Sequence, residues 1–140
     1  MSEAVSDAPA QGELRVVSLI CYGLFLLALV NGITAIAGVI LAYIKRDEAR
    51  GTVWESHMRN LIRVFWVGVV LAGAALVLIL PALSTLIYAL IATDGHPPPP
   101  LVGGLVATVP ILWLAGLAFL VWYLYRTIGG FARALDGKAY

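Results

Sequence analysis

Charged residues are grouped so that three long gaps separate them. No charge occurs from Val16 to Ile44, from Val64 to Thr93, or from Gly95 to Tyr125. A hydrocarbon core of about 30 Å is crossed by roughly 20 apolar residues in helical form. One charge at the bilayer centre costs about 2.5–3.5 kcal/mol even on the translocon insertion scale. Buried helices of a soluble protein would still carry polar faces, and these stretches have none. The pattern therefore predicts an all-α membrane protein with three transmembrane segments, at about 15–44, 53–92 and 101–126. Ile128, Phe131 and Leu135 then recur with helical spacing, which predicts a short amphipathic helix over 127–137 lying at the membrane interface. Residues 14–140 are expected to form a single helical membrane domain behind an unstructured polar tail, 1–13.

The first gap is the ambiguous one. As a straight helix its 29 residues would reach about 44 Å, longer than the core. Asn31-Gly32 stands at its midpoint, so the expectation is a tilted or kinked single crossing, with a re-entrant hairpin turning at Asn31-Gly32 as the rival. The run is far longer than the apolar region of a signal peptide and is not preceded by basic residues, so cleavage is not expected. Thr52 and Glu55 have the spacing of a capping box, predicting a helix that runs on into the second segment. Its first turns are expected to direct Trp54 and Met58 to lipid headgroups and Glu55, Arg59 and Arg63 to water. Pro81 predicts a kink, with Ser84 and Thr85 bonding the carbonyls it frees. The Asp94–Pro100 stretch, with its four prolines, predicts an extended connector. Small residues four apart, such as Gly38 with Ala42 and Gly68 with Ala72, suit close helix contacts in lipid.

Composition agrees with the pattern. The 140 residues are 61% hydrophobic and 12% charged, against about 45–50% and about 25% in a soluble domain. A net charge of +1 gives no reason to expect nucleic acid as a partner. The single cysteine, Cys21, excludes an internal disulfide and a Cys-based zinc site. The placement of the basic residues is more informative. Lys45, Arg46, Arg50, Arg59 and Arg63 lie between the first two charge-free stretches, and Arg126, Arg133 and Lys138 follow the third, whereas the loop at 93–100 has none. The positive-inside rule then predicts a cytoplasmic C-terminus.

Catalytic chemistry finds little support. His57 and His96 fall on opposite sides of the predicted membrane, and neither has neighbouring ligands, so no metal or other cofactor is expected. Ser84 and Thr85 lack a base, and His57 lacks a nucleophile or second acid, so the chain is expected not to be an enzyme. Residues 16–44, 64–92 and 101–125 contain no acid or base of the kind that pumps use. Polar density is concentrated in Trp54–Trp66, where His57, Asn60 and Val64 share one helical face and Arg59 and Arg63 another. The two arginines are placed to hold a lipid phosphate or an acid such as Asp136.

Trp54, Ser56 and His57, followed by Asn60, Arg63 and Phe65-Trp66, resemble the central signature of a family of small bacterial multi-pass membrane proteins of unknown function. In that family the stretch reads Trp-x-x-Ser-His-x-x-x-Gln-x-Arg-Thr-Phe-Trp. Here the Trp stands one residue nearer the Ser-His pair, Leu61 stands where Gln is common, and Val64 where Thr is. Trp122, Arg126, Gly130, Leu135, Gly137 and Tyr140 resemble the family's C-terminal pattern. The family is similar, more remotely, to the membrane subunit of the chloroplast inner-envelope import translocon. The resemblance implies a bacterial inner-membrane location. The resulting expectation is an interaction or accessory subunit whose partners are membrane lipid and either a larger membrane complex or further copies of itself. Its candidate interaction and lipid-headgroup residues are Trp54, His57, Arg59, Asn60, Arg63, Trp66, Arg126 and Arg133. The alternative is a channel-forming or translocon-like component.

Overall fold

The computed structural model describes residues 3–92, 95–96 and 98–140, and all regular structure among them is helical. Four helices follow in order: α1 (Glu3–Asn31), α2 (Thr34–Arg46), α3 (Val53–Ala92) and α4 (Pro99–Leu135). Stretches within α1, α3 and α4 are long and apolar enough to cross a membrane. α1 begins at Glu3, inside the tail expected to be unstructured. The predicted connector lies partly outside the described residues, at Asp94 and Pro97; Pro99 and Pro100 already belong to α4.

The first apolar segment reverses direction at Gly32, and α1 and α2 pack side by side. Gly32 adopts φ 69°, a left-handed conformation open to glycine at little cost. Its amide closes α1 on the Ala28 carbonyl at 2.7 Å. Asn31 Oδ1 accepts from the Thr34 amide at 3.2 Å and so starts α2. The two helices then approach closely: a Cβ on Gly38 would come within 2.9 Å of the Phe25 ring. At the open end Lys45 Nζ meets Glu13 Oε1 at 2.9 Å and Glu48 Oε2 at 2.7 Å. Hydrogen bonds to Glu48 and then Glu13 hold the ammonium above its ordinary pKa.

The chain divides into two compact units, one running up to Val67 together with Trp122–Tyr140, the other Gly68–Val121. The first contains the fully buried residues Cys21, Tyr22, Phe25, His57, Met58, Leu61, Val64 and Thr127. Trp54 and Met58 belong to this core and do not face headgroups, because the α3 face they share with His57 and Leu61 is the packed one. In the second unit an apolar groove is lined by Ala72, Ala75, Leu112 and Phe119, while Val77, Ile91 and Trp113 are more than 70% exposed. An apolar exterior of this extent is suited to lipid as solvent.

Three local expectations are corrected. α4 continues unbroken to Leu135, so residues 127–135 are its last turns rather than a separate interfacial helix; their apolar side includes buried Ala134, packed within the first unit. At the start of α3, Thr52 Oγ1 accepts from the Trp54 amide at 3.2 Å, but the Glu55 carboxylate takes the Gly51 amide at 3.0 Å in place of that of Thr52. The left-handed Gly51, φ 74°, turns its amide toward that carboxylate. Ser84 and Thr85 hydroxyls donate to the carbonyl of Pro81 itself, at 2.9 and 2.6 Å. A Ser or Thr hydroxyl reaches the carbonyl three or four residues back, which is Pro81's own.

Gly129 and Gly130 separate packing from propensity. A Cβ at Gly130 would collide with the Tyr22 ring and hydroxyl, whereas one at Gly129 meets nothing within 4 Å. Gly130→Ala is expected to destabilise the detergent-solubilised protein by about 1–3 kcal/mol through overpacking. Gly129→Ala should be neutral or raise stability by up to about 1 kcal/mol through helix propensity. Thermal unfolding followed by circular dichroism checks both; equal effects would show that Tyr22 does not press on α4.

Candidate functional site

The polar residues singled out in the sequence converge because four helix ends meet in the first unit. An Arg15 guanidinium N–H donates to the Leu135 carbonyl, joining the early part of α1 to the last residue of α4. Glu13 and Lys45 join α1 to α2. The end of α4 is shaped by a glycine. Gly137 has φ 67°, its amide donates to Ala134 O at 3.2 Å, and the Lys138 amide donates to Arg133 O at 2.9 Å. This is a Schellman closure, in which the two donors satisfy the helix's last carbonyls. It turns the chain back so that the Lys138 carbonyl and Tyr140 meet α3. The Tyr140 amide donates to Ser56 Oγ at 2.9 Å.

A directed chain of hydrogen bonds runs through the centre. His57 Nε2 lies 2.8 Å from the Lys138 carbonyl, which can only accept, so Nε2 carries the hydrogen. In the neutral ring Nδ1 is then an acceptor, and the Tyr22 hydroxyl donates to it at 3.1 Å. The Tyr22 oxygen in turn accepts from Asn60 Nδ2 at 3.2 Å. Asn60 Oδ1 accepts from Arg126 at 3.0 Å. Each link has one donor and one acceptor, and no buried side-chain nitrogen or oxygen among the described residues lacks a partner. Beside the chain, Tyr123 donates to the Phe25 carbonyl at 2.6 Å.

Aromatic rings enclose the same centre. The His57 ring lies 5.6 Å from Trp54, 5.7 Å from Tyr22 and 6.3 Å from Tyr140 between centroids. Tyr140 also receives the Arg126 guanidinium at 5.2 Å and that of Arg133 at 5.3 Å, and Arg126 lies 5.7 Å from the Trp122 ring. A guanidinium over an aromatic face is attracted by the ring quadrupole. Beside this cluster a cavity of about 220 Å³ is lined by Ser56, Arg59, Asn60, Arg63, Arg126 and Tyr140.

Of the eight candidate residues, Trp54, His57, Asn60, Arg126 and Arg133 join the cluster, and Arg59 and Arg63 line the cavity. Trp66 stands apart, donating from Nε1 to the Tyr43 hydroxyl at 2.8 Å and so linking α3 to α2. Asp136 pairs with Lys138 at 3.3 Å, and Arg59 pairs with Glu55 at 2.6 Å. Tyr22 is the central residue that sequence reasoning missed. It lies among apolar residues, and only the reversal at Gly32 and the close approach of Gly130 bring it between α3 and α4. Tyr140 was noted only in the terminal pattern; the Gly137 cap is the signal for its return.

Tyr22→Phe tests the chain. It leaves His57 Nδ1 without a donor and the Asn60 amide without an acceptor while keeping the ring. A loss of about 1–3 kcal/mol per buried unsatisfied group is expected, measured by denaturation in mild detergent. A change below about 0.5 kcal/mol, the level of an ordinary surface substitution, would mean that the hydroxyl carries no such load. Searches against family models, curated proteins and solved structures find no match for this chain.

Proposed function

We propose that this chain is a non-enzymatic, multi-pass inner-membrane protein that acts as an interaction or accessory subunit. In this reading it uses the polar end of its first unit to recognise a larger membrane complex or a second copy. The supporting observation is the convergence there of Trp54, His57, Arg59, Asn60, Arg63, Arg126 and Arg133 in one cavity wall, one hydrogen-bond chain and one aromatic cluster. Positive-inside anchoring alone requires charges in the flanking loops; it does not require buried His and Asn side chains wired to an arginine.

Orientation follows from the same convergence. Arg15, Lys45, Arg59 and Lys138 all stand near ends that contact one another, which supports placing this end in the cytoplasm. α2, with 13 residues, extends only about 20 Å and is too short to cross alone, so α1 and α2 would form a re-entrant hairpin. Asn31 at its tip is already bonded to Thr34, which lowers the cost of holding an amide at depth. The family resemblance supports the bacterial inner membrane as the location.

Two measurements test this reading. Cys21 is buried and is the chain's one cysteine, so single-cysteine variants on a Cys21→Ala background report topology. A cysteine at Lys138 should be labelled only from the cytoplasm, one at Gly95 only from outside, and one at Ile33 from neither side. Labelling of Ile33→Cys from outside would replace the re-entrant hairpin with a full crossing. For function, a tagged copy purified in mild detergent should bring a stoichiometric partner or form a defined homo-oligomer. Arg59→Ala with Arg63→Ala should weaken that association about tenfold or more. Unchanged association would reject the surface, and a homo-oligomer that conducts ions would favour the channel reading.

A further inference from the structure

We propose that the cavity lined by Ser56, Arg59, Asn60, Arg63, Arg126 and Tyr140 is a binding site for a phosphomonoester group. This goes beyond the recognition role proposed above and rests on it in assigning a ligand class to part of the same surface.

Charge is the first ground. Three guanidiniums from two helices line one space of about 220 Å³. Among the described residues the one carboxylate paired with any of them is Glu55, on Arg59 at 2.6 Å, and neither Arg63 nor Arg126 has an ion-pair partner there. Arg59 and Arg63 are one helical turn apart, a spacing at which like charges repel. A phosphomonoester carries close to two negative charges at neutral pH and would relieve that repulsion.

The donors are the second ground. Arg63 makes no hydrogen bond or ion pair among the described residues, so all five of its N–H groups remain available. Arg126 is held by Asn60 Oδ1 on one side and by the Trp122 and Tyr140 rings on others, which fixes its guanidinium at the cavity wall before any ligand arrives. A pre-oriented planar fork suits the paired oxygens of a phosphate better than a flexible ammonium does. The Ser56 hydroxyl donates to the Val53 carbonyl at 2.8 Å and accepts the Tyr140 amide, so it is committed elsewhere and the arginines carry the binding. The cavity is open enough for a headgroup. Phosphatidic acid and free phosphate present the same chemistry, and the test separates them.

The full chain is placed in nanodiscs of phosphatidylcholine containing a minor fraction of phosphatidic acid or, at equal fraction, phosphatidylglycerol, whose phosphate is a singly charged diester. Lipid retained after delipidating washes is read by native mass spectrometry. Thermal unfolding is followed in parallel with inorganic phosphate or sulfate added at matched ionic strength. For a lipid source, phosphatidic acid should be retained about tenfold more than phosphatidylglycerol, and Arg63→Gln should abolish the preference. Arg63→Lys should restore it only in part, because it returns the charge without the fork. For a free-phosphate source, phosphate should raise the melting temperature of the wild type but not of Arg63→Gln, and sulfate, a dianion of the same shape, should act through the same arginine. Arg63 is exposed and unbonded, so its variants should fold; equal unfolding temperatures without ligand verify this. Equal retention of both lipids with no phosphate effect, or full rescue by Arg63→Lys, would overturn the site in favour of plain charge attraction. Partner co-purification is measured on the same variants. A partner that remains while phosphate and lipid selectivity are absent would leave the recognition reading intact and sink this one.

Discussion

One phenol sets the register of three helices. Tyr22 enters from α1, its ring presses on α4 where Gly130 leaves no side chain, and its hydroxyl lies between His57 and Asn60 of α3. A slip of α1 by one residue would rotate it by about 100° and withdraw the hydroxyl from both partners. Two buried polar side chains would then be stranded, each at a cost comparable to a large part of a domain's net stability. Close packing of Tyr22 on Gly130 and the polar bonds of its hydroxyl therefore select the same arrangement. The result is specific in a way that apolar packing in lipid is not, since lipid solvates an apolar helix face about as well as another helix does.

That difference explains why polarity and packing coincide. α3 has 40 residues and α4 has 37, so each extends well beyond the 30 Å or so that a hydrocarbon core requires. Their apolar stretches bury little inside the molecule, and their polar ends lie in the tightly packed first unit. Where water is present, hydrophobic burial and aromatic contacts contribute to stability. Where lipid is the solvent, the same side chains gain little from leaving it. The chain thus concentrates its internal contacts at the end with the greatest polar density.

The sequence made the helical membrane class legible through its charge-free gaps, because exclusion of charge from hydrocarbon is a strong one-dimensional signal. The face shared by His57, Asn60 and Val64 could be read from helical spacing, and all three are buried. Reversal at Gly32 was present as an alternative but not preferred, since a glycine after an asparagine is compatible with either a kink or a turn. What decides is tertiary: Gly38 against Phe25, and Glu13 against Lys45. The aromatic and thioether groups of Trp54 and Met58 suit a membrane interface, but burial beside Leu61 suits them equally. Tyr22 carried no local signal at all, its partners lying 35 and 38 residues away in sequence.

The arginines of the first unit differ in what holds them, and that difference bears on function. Arg126 is bonded to Asn60 and stacked on two rings, so removing it would disturb the fold itself. Arg59 is neutralised by Glu55 on its own helix, a contact that an exposed pair gives up at little cost. Arg63 is exposed at the cavity edge with no such contact among the described residues. If these residues served only to fix topology, their positions around a cavity would be interchangeable, because the positive-inside effect counts charges and not geometry. A built site instead makes each position distinct. In the proposed site Arg126 would be the pre-oriented guanidinium, Arg59 would be shared with Glu55, and Arg63 would be the one given over to the anion. Charge-swapped variants that keep the total but move the positions therefore separate anchoring from recognition more sharply than any single deletion of charge.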